Sequence, residues 1–104
     1  MEILQTMVFR RWEQNLRDRR AKTLIATRLF RLANGLAGDV KPVGEGVSEM
    51  RISYSPGYRI YFKQQGYRII ILLCGGDKSS QANDITLAKM LARTLDSQEI
   101  FCHE

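Results

Sequence analysis

Glu49-Met50-Arg51-Ile52-Ser53-Tyr54, the turn Ser55-Pro56-Gly57 and Tyr58-Arg59-Ile60-Tyr61-Phe62-Lys63 together decide how this chain folds. In the first segment the even positions are apolar and the odd ones polar, the two-residue period of a half-buried strand. One face packs, and the other presents Glu49, Arg51 and Ser53. The second segment repeats the alternation, with Arg59, Tyr61 and Lys63 opposite Ile60 and Phe62. Gln65-Gly66 then turns the chain tightly, and Tyr67 to Cys74 follows with apolar residues on both faces, as a central strand requires. The pattern predicts three consecutive antiparallel strands that gather cations along one side.

Between Arg51 and Gly76 there is no acidic side chain. Cations and tyrosines in such a tract lack a local carboxylate, which makes an external polyanion a reasonable ligand. An arginine on a sheet face is ordinarily solvated surface, and Arg51 beside Glu49 can equally serve to tie down the sheet edge. The face carrying Arg59 and Tyr61 is expected to be partly open.

Working outward, Glu2-Ile3-Leu4-Gln5 is a short strand candidate, and Thr6 can cap a helix in which Phe9, Trp12 and Leu16 share a face and which ends near Arg17. Asp18 can cap a second helix running to about Leu36, with the stripe Ile25, Leu29, Leu32 and Leu36 and a stop at Gly35 and Gly38. The cations Arg17, Arg19, Arg20, Lys22, Arg28 and Arg31 lie mostly off that stripe and read as a solvated helix face. Residues 38 to 46 read as a polar, glycine-rich loop that enters the sheet through an irregular edge, because Pro42 cannot sit in a central ladder. After Gly75-Gly76, Ser79 or Ser80 can cap a last helix whose buried stripe is Ile85, Ala88, Leu91, Ala92 and Leu95. Residues 96–104 show no period and read as a mobile tail, leaving a single domain over residues 1–95.

The chain has 104 residues and a formal charge of +5, which suits one core and an anionic partner, nucleic acid first. No apolar leader is apparent and the longest aliphatic run, Ile69 to Cys74, is far too short for a bilayer, so a soluble cytoplasmic protein without membrane contact is expected. Cys74 and Cys102 have no metal-ligand spacing and are expected to stay reduced. There is no phosphate loop followed by Lys-Ser/Thr, no dinucleotide fingerprint and no zinc-spaced Cys or His pair, so neither cofactor nor metal is implied. Gly75-Gly76-Asp77-Lys78 reads as a turn at a strand end. His103 lies beside the terminus, where a general acid or base is poorly held. Asp77 and Asp84 read as caps or solvated acids rather than as metal ligands.

What remains is positioned positive charge. RNA carries its own nucleophile in the 2′-hydroxyl, so orienting it and stabilising charge on the phosphate can suffice for cleavage. Arginine forks onto phosphate oxygens, lysine places a compact charge on a leaving group, and tyrosine stacks on a splayed base.

Ser48-Glu49-Met50-Arg51-Ile52, Gly57-Tyr58-Arg59-Ile60-Tyr61-Phe62 and Leu72-Leu73-Cys74-Gly75-Gly76-Asp77-Lys78-Ser79-Ser80-Gln81 resemble the RelE/ParE superfamily of bacterial toxins, most nearly its HigB-like addiction module killer branch. The resemblance covers nearly the whole chain. It implies an α+β fold in the order β-α-α-β-β-β-α, with two amino-terminal helices packed on a small, mainly antiparallel four-stranded sheet and a carboxy-terminal helix. It further implies a toxin neutralised by a co-expressed antitoxin, usually one with a helix-turn-helix DNA-binding domain. RelE-like members enter the ribosomal A site and cut mRNA without metal, leaving a 2′,3′-cyclic phosphate.

By position, Arg51, Arg59 and Lys78 match the family's catalytic cations. Ser53, Tyr58, Tyr61, Lys63, Asp77 and Ser80 are the expected RNA-binding residues around them. Ser53 stands where some relatives carry a second lysine, and Asp84 roughly where some carry a catalytic tyrosine. The general base is therefore open between Tyr58, Tyr61 and Asp77. ParE-like relatives share the fold but poison DNA gyrase, so the alternatives are a non-catalytic gyrase toxin and a plain nucleic-acid-binding module, the latter without an evident recognition helix.

Overall fold

The computed structural model describes residues 1–103. The protein is α+β: a six-stranded mixed sheet with helices on both faces. In chain order the elements are β1 (Glu2–Thr6), α1 (Met7–Asn15), α2 (Arg19–Ala33), β2 (Val40–Gly44), β3 (Val47–Arg51), β4 (Arg59–Gln65), β5 (Ile69–Gly76), α3 (Gln81–Arg93) and β6 (Ile100–Cys102). The sheet order is β2-β3-β4-β5-β1-β6, with β1 parallel to β5 and every other neighbouring pair antiparallel.

Two strands enlarge the four-stranded sheet expected from the sequence. The polar segment around Pro42 pairs with β3 as the outermost strand, its register shifting between Pro42 and Gly44. Proline donates nothing to a ladder, so an edge with an irregular register is where it fits. At the opposite edge, Ile100–Cys102 runs antiparallel to β1, so these three residues of the segment read as a mobile tail belong to the sheet. Three residues are too few to show an alternation.

The helix starts follow from capping chemistry. The Thr6 hydroxyl accepts the Phe9 amide and donates to the Leu73 carbonyl, and the Asp18 carboxylate accepts the Arg20 and Ala21 amides. The second helix stops earlier than Leu36. Gly35, at φ +82°, donates to Leu32 while Leu36 donates to Arg31, the paired bonds of a Schellman motif. Leu36 therefore lies beyond the helix and is exposed.

Two apolar layers result. On one face Phe9, Ile25, Leu29 and Leu32 of α1 and α2 pack on Met50, Ile60, Phe62, Ile70 and Leu72. On the other, Ala88, Leu91 and Ala92 of α3 pack on Val47, Tyr61, Ile71, Leu73 and Cys74. Each large aliphatic side chain so buried stabilises by about 2 kcal/mol. The alternation in β4 is as expected, but the face carrying Tyr61 is closed: α3 covers it, and Tyr61 is completely buried. The Cys74 thiol is buried in the same layer, where desolvation and the nearby Asp84 charge push it up to about 12, so it is an inert core residue.

Candidate phosphate-binding cleft

Arg51 is the last residue of β3 and Arg59 the first of β4, and the two stand directly opposite each other. Arg59 in turn pairs with Gly76, the last residue of β5, and Lys78 follows two residues later. Adjacent strands lie about 4.8 Å apart, so the three cations arrive at one end of the sheet from three neighbouring strands. There they line a cleft of about 210 Å³ together with Asp39, Ile52, Ser53, Gly57 and Tyr58.

Like charges directly opposite in a ladder repel. Here the repulsion is countered from below by Glu49, two residues before Arg51 on the same face of β3. Its carboxylate is fully buried and accepts from Arg51 Nε at 2.9 Å, from the Tyr61 hydroxyl at 3.0 Å and from Gln81 Nε2 at 2.8 Å. Arg59 Nε lies 3.7 Å from the same carboxylate. Burial pushes the Glu49 carboxyl up, but the hydrogen bonds from Gln81, Arg51 and Tyr61 outweigh it and hold the group below its usual range. Tyr61 moves the other way, raised by desolvation and by donating to that carboxylate.

The account is not balanced at Arg59. Its side chain is only 11% exposed, Nη1 donates to the Gly57 carbonyl, and the buried Nε has no hydrogen-bond partner. Buried donors are normally satisfied. Lys78, which also lines the cleft, is exposed and has no ion-pair partner among the described residues. A cleft with this surplus of positive donors suits an anion.

The surroundings hold these groups in place. The Arg51 amide donates to the Asp39 carbonyl, and Arg28 of α2 donates to the carbonyls of Arg51 and, more weakly, Asp39. Tyr54 in the β3–β4 connection donates to Asp18 at 2.8 Å, which lowers the Asp18 carboxyl and fastens the connection to the start of α2. Gly75 and Gly76 lie inside β5 and make no turn. Their role is close approach: a Cβ on Gly75 would stand 2.4 Å from the Trp12 indole, and one on Gly76 would collide with the Asp84 carboxylate. Trp12 in turn meets Tyr58 edge to face, with ring centroids 6.2 Å apart.

Among the residues expected from sequence, Arg51, Arg59, Lys78, Ser53 and Tyr58 come together in the cleft. Four others do not. Tyr61 is sealed under α3 and cannot stack on a base. Lys63 lies four residues along β4 from Arg59, opposite Val47 and Ile71, about 13 Å from the cleft. Asp77 caps the 3-10 turn Lys78–Ser80, accepting from the Ser79 amide and hydroxyl, which lowers its carboxyl. The Ser80 hydroxyl is engaged by Asp84 and the Asp77 backbone, which removes Ser80 and Asp77 as free ligands. The sequence pairs Glu49 with Arg51 but gives no sign that it also faces Arg59, nor of Arg28, Gln81 and Asp39 around the cleft. The two-residue spacing of Glu49 and Arg51 on one face is the signal for that pair. Nothing local marks the others.

No family model matches the sequence. The chain is similar to an uncharacterized protein of Haemophilus influenzae, 46% identical over 95 residues, an alignment that spans 91% of this chain and 96% of that protein. With identity at that level over nearly the full length of both, the chain belongs to the same family as this uncharacterized Haemophilus influenzae protein.

Proposed function

We propose that the protein is the toxin of a type II toxin–antitoxin module, a RelE-like, HigB-like endoribonuclease that cuts mRNA at the ribosomal A site without a metal. The observation that carries this reading is the convergence of Arg51, Arg59 and Lys78, separated by up to 27 positions in sequence, on one cleft. In the proposed reaction the 2′-oxygen attacks phosphorus, the bond to the 5′-oxygen breaks, and a 2′,3′-cyclic phosphate and a 5′-hydroxyl end result. Arg51 and Arg59 fork onto the non-bridging oxygens, and Lys78 stabilises the departing 5′-oxygen. Ser53 contacts the backbone beside them. Of the groups able to take the 2′-proton, Tyr58 reaches the cleft, as does Asp39, whereas Tyr61 and Asp77 are occupied elsewhere.

The reading carries with it a cytoplasmic location and a cognate antitoxin with a helix-turn-helix domain that covers or distorts the basic cleft. Among the described residues no helix is long and apolar enough to cross a membrane. The deciding experiment is expression of the chain in cells with mapping of mRNA ends, beside a gyrase supercoiling assay. Growth arrest with new mRNA ends and normal supercoiling supports the reading. Arrest with inhibited supercoiling and intact mRNA assigns the gyrase-toxin alternative, and unhindered growth removes the toxin reading.

A further inference from the structure

Glu49 is the one fully buried acid of the molecule among the described residues, and it sits under the cleft rather than in it. An ionised carboxylate is expensive to bury and is retained at a stability cost unless well paired. Its partners decide what it is for. Arg51 reaches it through Nε, the side edge of the guanidinium, which leaves both Nη groups free to point past it. Arg59 turns the same edge toward the same carboxylate. Tyr61 and Gln81 reach it from the α3 side and hold it from behind. One carboxylate thus faces the Nε edges of two cross-strand arginines, with both Nη groups of Arg51 and Nη2 of Arg59 left for a ligand.

We infer that Glu49 is a positioning residue for the proposed reaction: it aims Arg51 and Arg59 at one phosphate of an RNA backbone, and Gln81 of α3 keeps its carboxylate in register. This rests on the ribonuclease reading. Its consequence has opposite signs for binding and for rate. Removing the Glu49 charge makes the cleft more positive, so RNA binding strengthens and becomes more salt-dependent. The forks lose their alignment, so the transition state suffers.

The test compares the full chain with Glu49→Gln and Gln81→Ala. Binding is read with a 2′-O-methyl RNA oligonucleotide, which lacks the nucleophile, over a salt series. Cleavage is read on mRNA in programmed ribosomes at saturating ribosome concentration, and the arginine Nε–H signals are followed by NMR. Expected for Glu49→Gln are oligonucleotide binding as tight as wild type or tighter with a steeper salt slope, a saturated rate lower by about tenfold or more, and an averaged Arg51 Nε–H signal. Gln81→Ala, which keeps the charge, is expected to lower the rate by a smaller factor with the salt slope unchanged. A wild-type saturated rate in folded Glu49→Gln overturns the inference, as does weaker binding with a normal rate. If Glu49→Gln fails to fold, Gln81→Ala decides: an unchanged rate and unchanged arginine signals overturn the inference. If the wild-type protein cleaves no mRNA on translating ribosomes, the ribonuclease reading falls, while the arginine signals and the oligonucleotide binding still decide whether Glu49 positions the forks.

Discussion

The two ends of the sheet each hold a glutamate against basic side chains, and they are built differently. At the β1–β6 end, Glu13 of α1 meets His103 with both carboxylate oxygens, at 2.9 and 3.0 Å, one acid to one partner. At the β3–β4–β5 end, Glu49 serves two arginines and reaches Arg59 only at 3.7 Å, and Lys78 has no ion-pair partner among the described residues. The first arrangement is a one-to-one pair, with both side chains partly shielded from water. The second has cationic donors to spare, with Lys78 and part of Arg51 open to solvent, which is useful for holding an anion. On this comparison the tail end should matter for stability alone and the cleft end chiefly for activity.

The largest effect should come from Arg59. Arg59→Ala is expected to abolish growth arrest and to lower RNA cleavage by about 10³-fold or more, the scale of an arginine that stabilises charge on a transferring phosphoryl group. Little stability should be lost, because the substitution also removes a buried donor that has no partner. A folded Arg59→Ala protein that still arrests growth would break the contrast between the two ends. Next is Lys78, with Lys78→Ala expected to reduce the saturated rate by about 10²-fold and Lys78→Arg to restore part of it. A normal saturated rate with weaker binding would make Lys78 an electrostatic anchor instead.

Gly75 joins the cleft end to the α1 side of the core. Gly75→Ala places a methyl group 2.4 Å from Trp12, so something must shift, and overpacking of this kind costs about 1–3 kcal/mol. A lower melting temperature with an altered near-ultraviolet signal from Trp12 is the expected outcome. Because Trp12 packs on Tyr58, cleavage should fall as well. Unchanged melting would mean that the indole moves aside freely.

This close approach also shows where sequence reading stops. The Thr6 and Asp18 caps, the β4 alternation and the Ala88, Leu91 and Ala92 stripe of α3 are local patterns that the structure carries as read, whereas β3 stops at Arg51 rather than Tyr54 and Leu95 lies beyond α3. Gly75-Gly76 looks like a turn in sequence because the ring that needs the space belongs to Trp12, more than sixty positions away. Tyr61 and Arg59 carry the same polar-face signature at alternate positions of β4. Whether such a face is open or covered depends on where α3 packs, which no local period reports. Arg59 at the strand end escapes the helix, whereas Tyr61 does not. Ile100–Cys102 is too short to register as a strand, and only its pairing with β1 reveals it.

Tyr61→Phe tests the support beneath the cleft more gently. Glu49 loses one of its three short hydrogen bonds while the ring stays in place, a loss of about 1 kcal/mol. The folded Glu49 carboxyl lies below its ordinary value of 4.5, so its contribution to stability is complete above that pH and is lost as the pH falls through the folded value. The stability gap between wild type and Tyr61→Phe should therefore be widest near neutrality and close on acidification. A gap that widens in acid would mean that Tyr61 stabilises the protonated carboxyl instead.

The smallest effect belongs to the other end of the sheet. His103 donates its backbone amide to Ile3, sets its ring edge-on to Phe9 and pairs with Glu13, so it pins β6 against β1 and α1. Its side chain and that of Glu13 are 12% and 27% exposed, and partly solvated pairs of this kind contribute about 1 kcal/mol or less. His103→Ala should lower stability by no more than that, because the β1–β6 ladder and the amide bond to Ile3 remain. Growth arrest and mRNA cleavage should be unchanged, since the residue lies at the far edge of the sheet from the cleft. The pair of measurements is what matters. A His103→Ala protein that melts normally but has lost its cleavage would place chemistry at the β1–β6 edge of the sheet, and the clustered cations of the cleft would no longer distinguish the site.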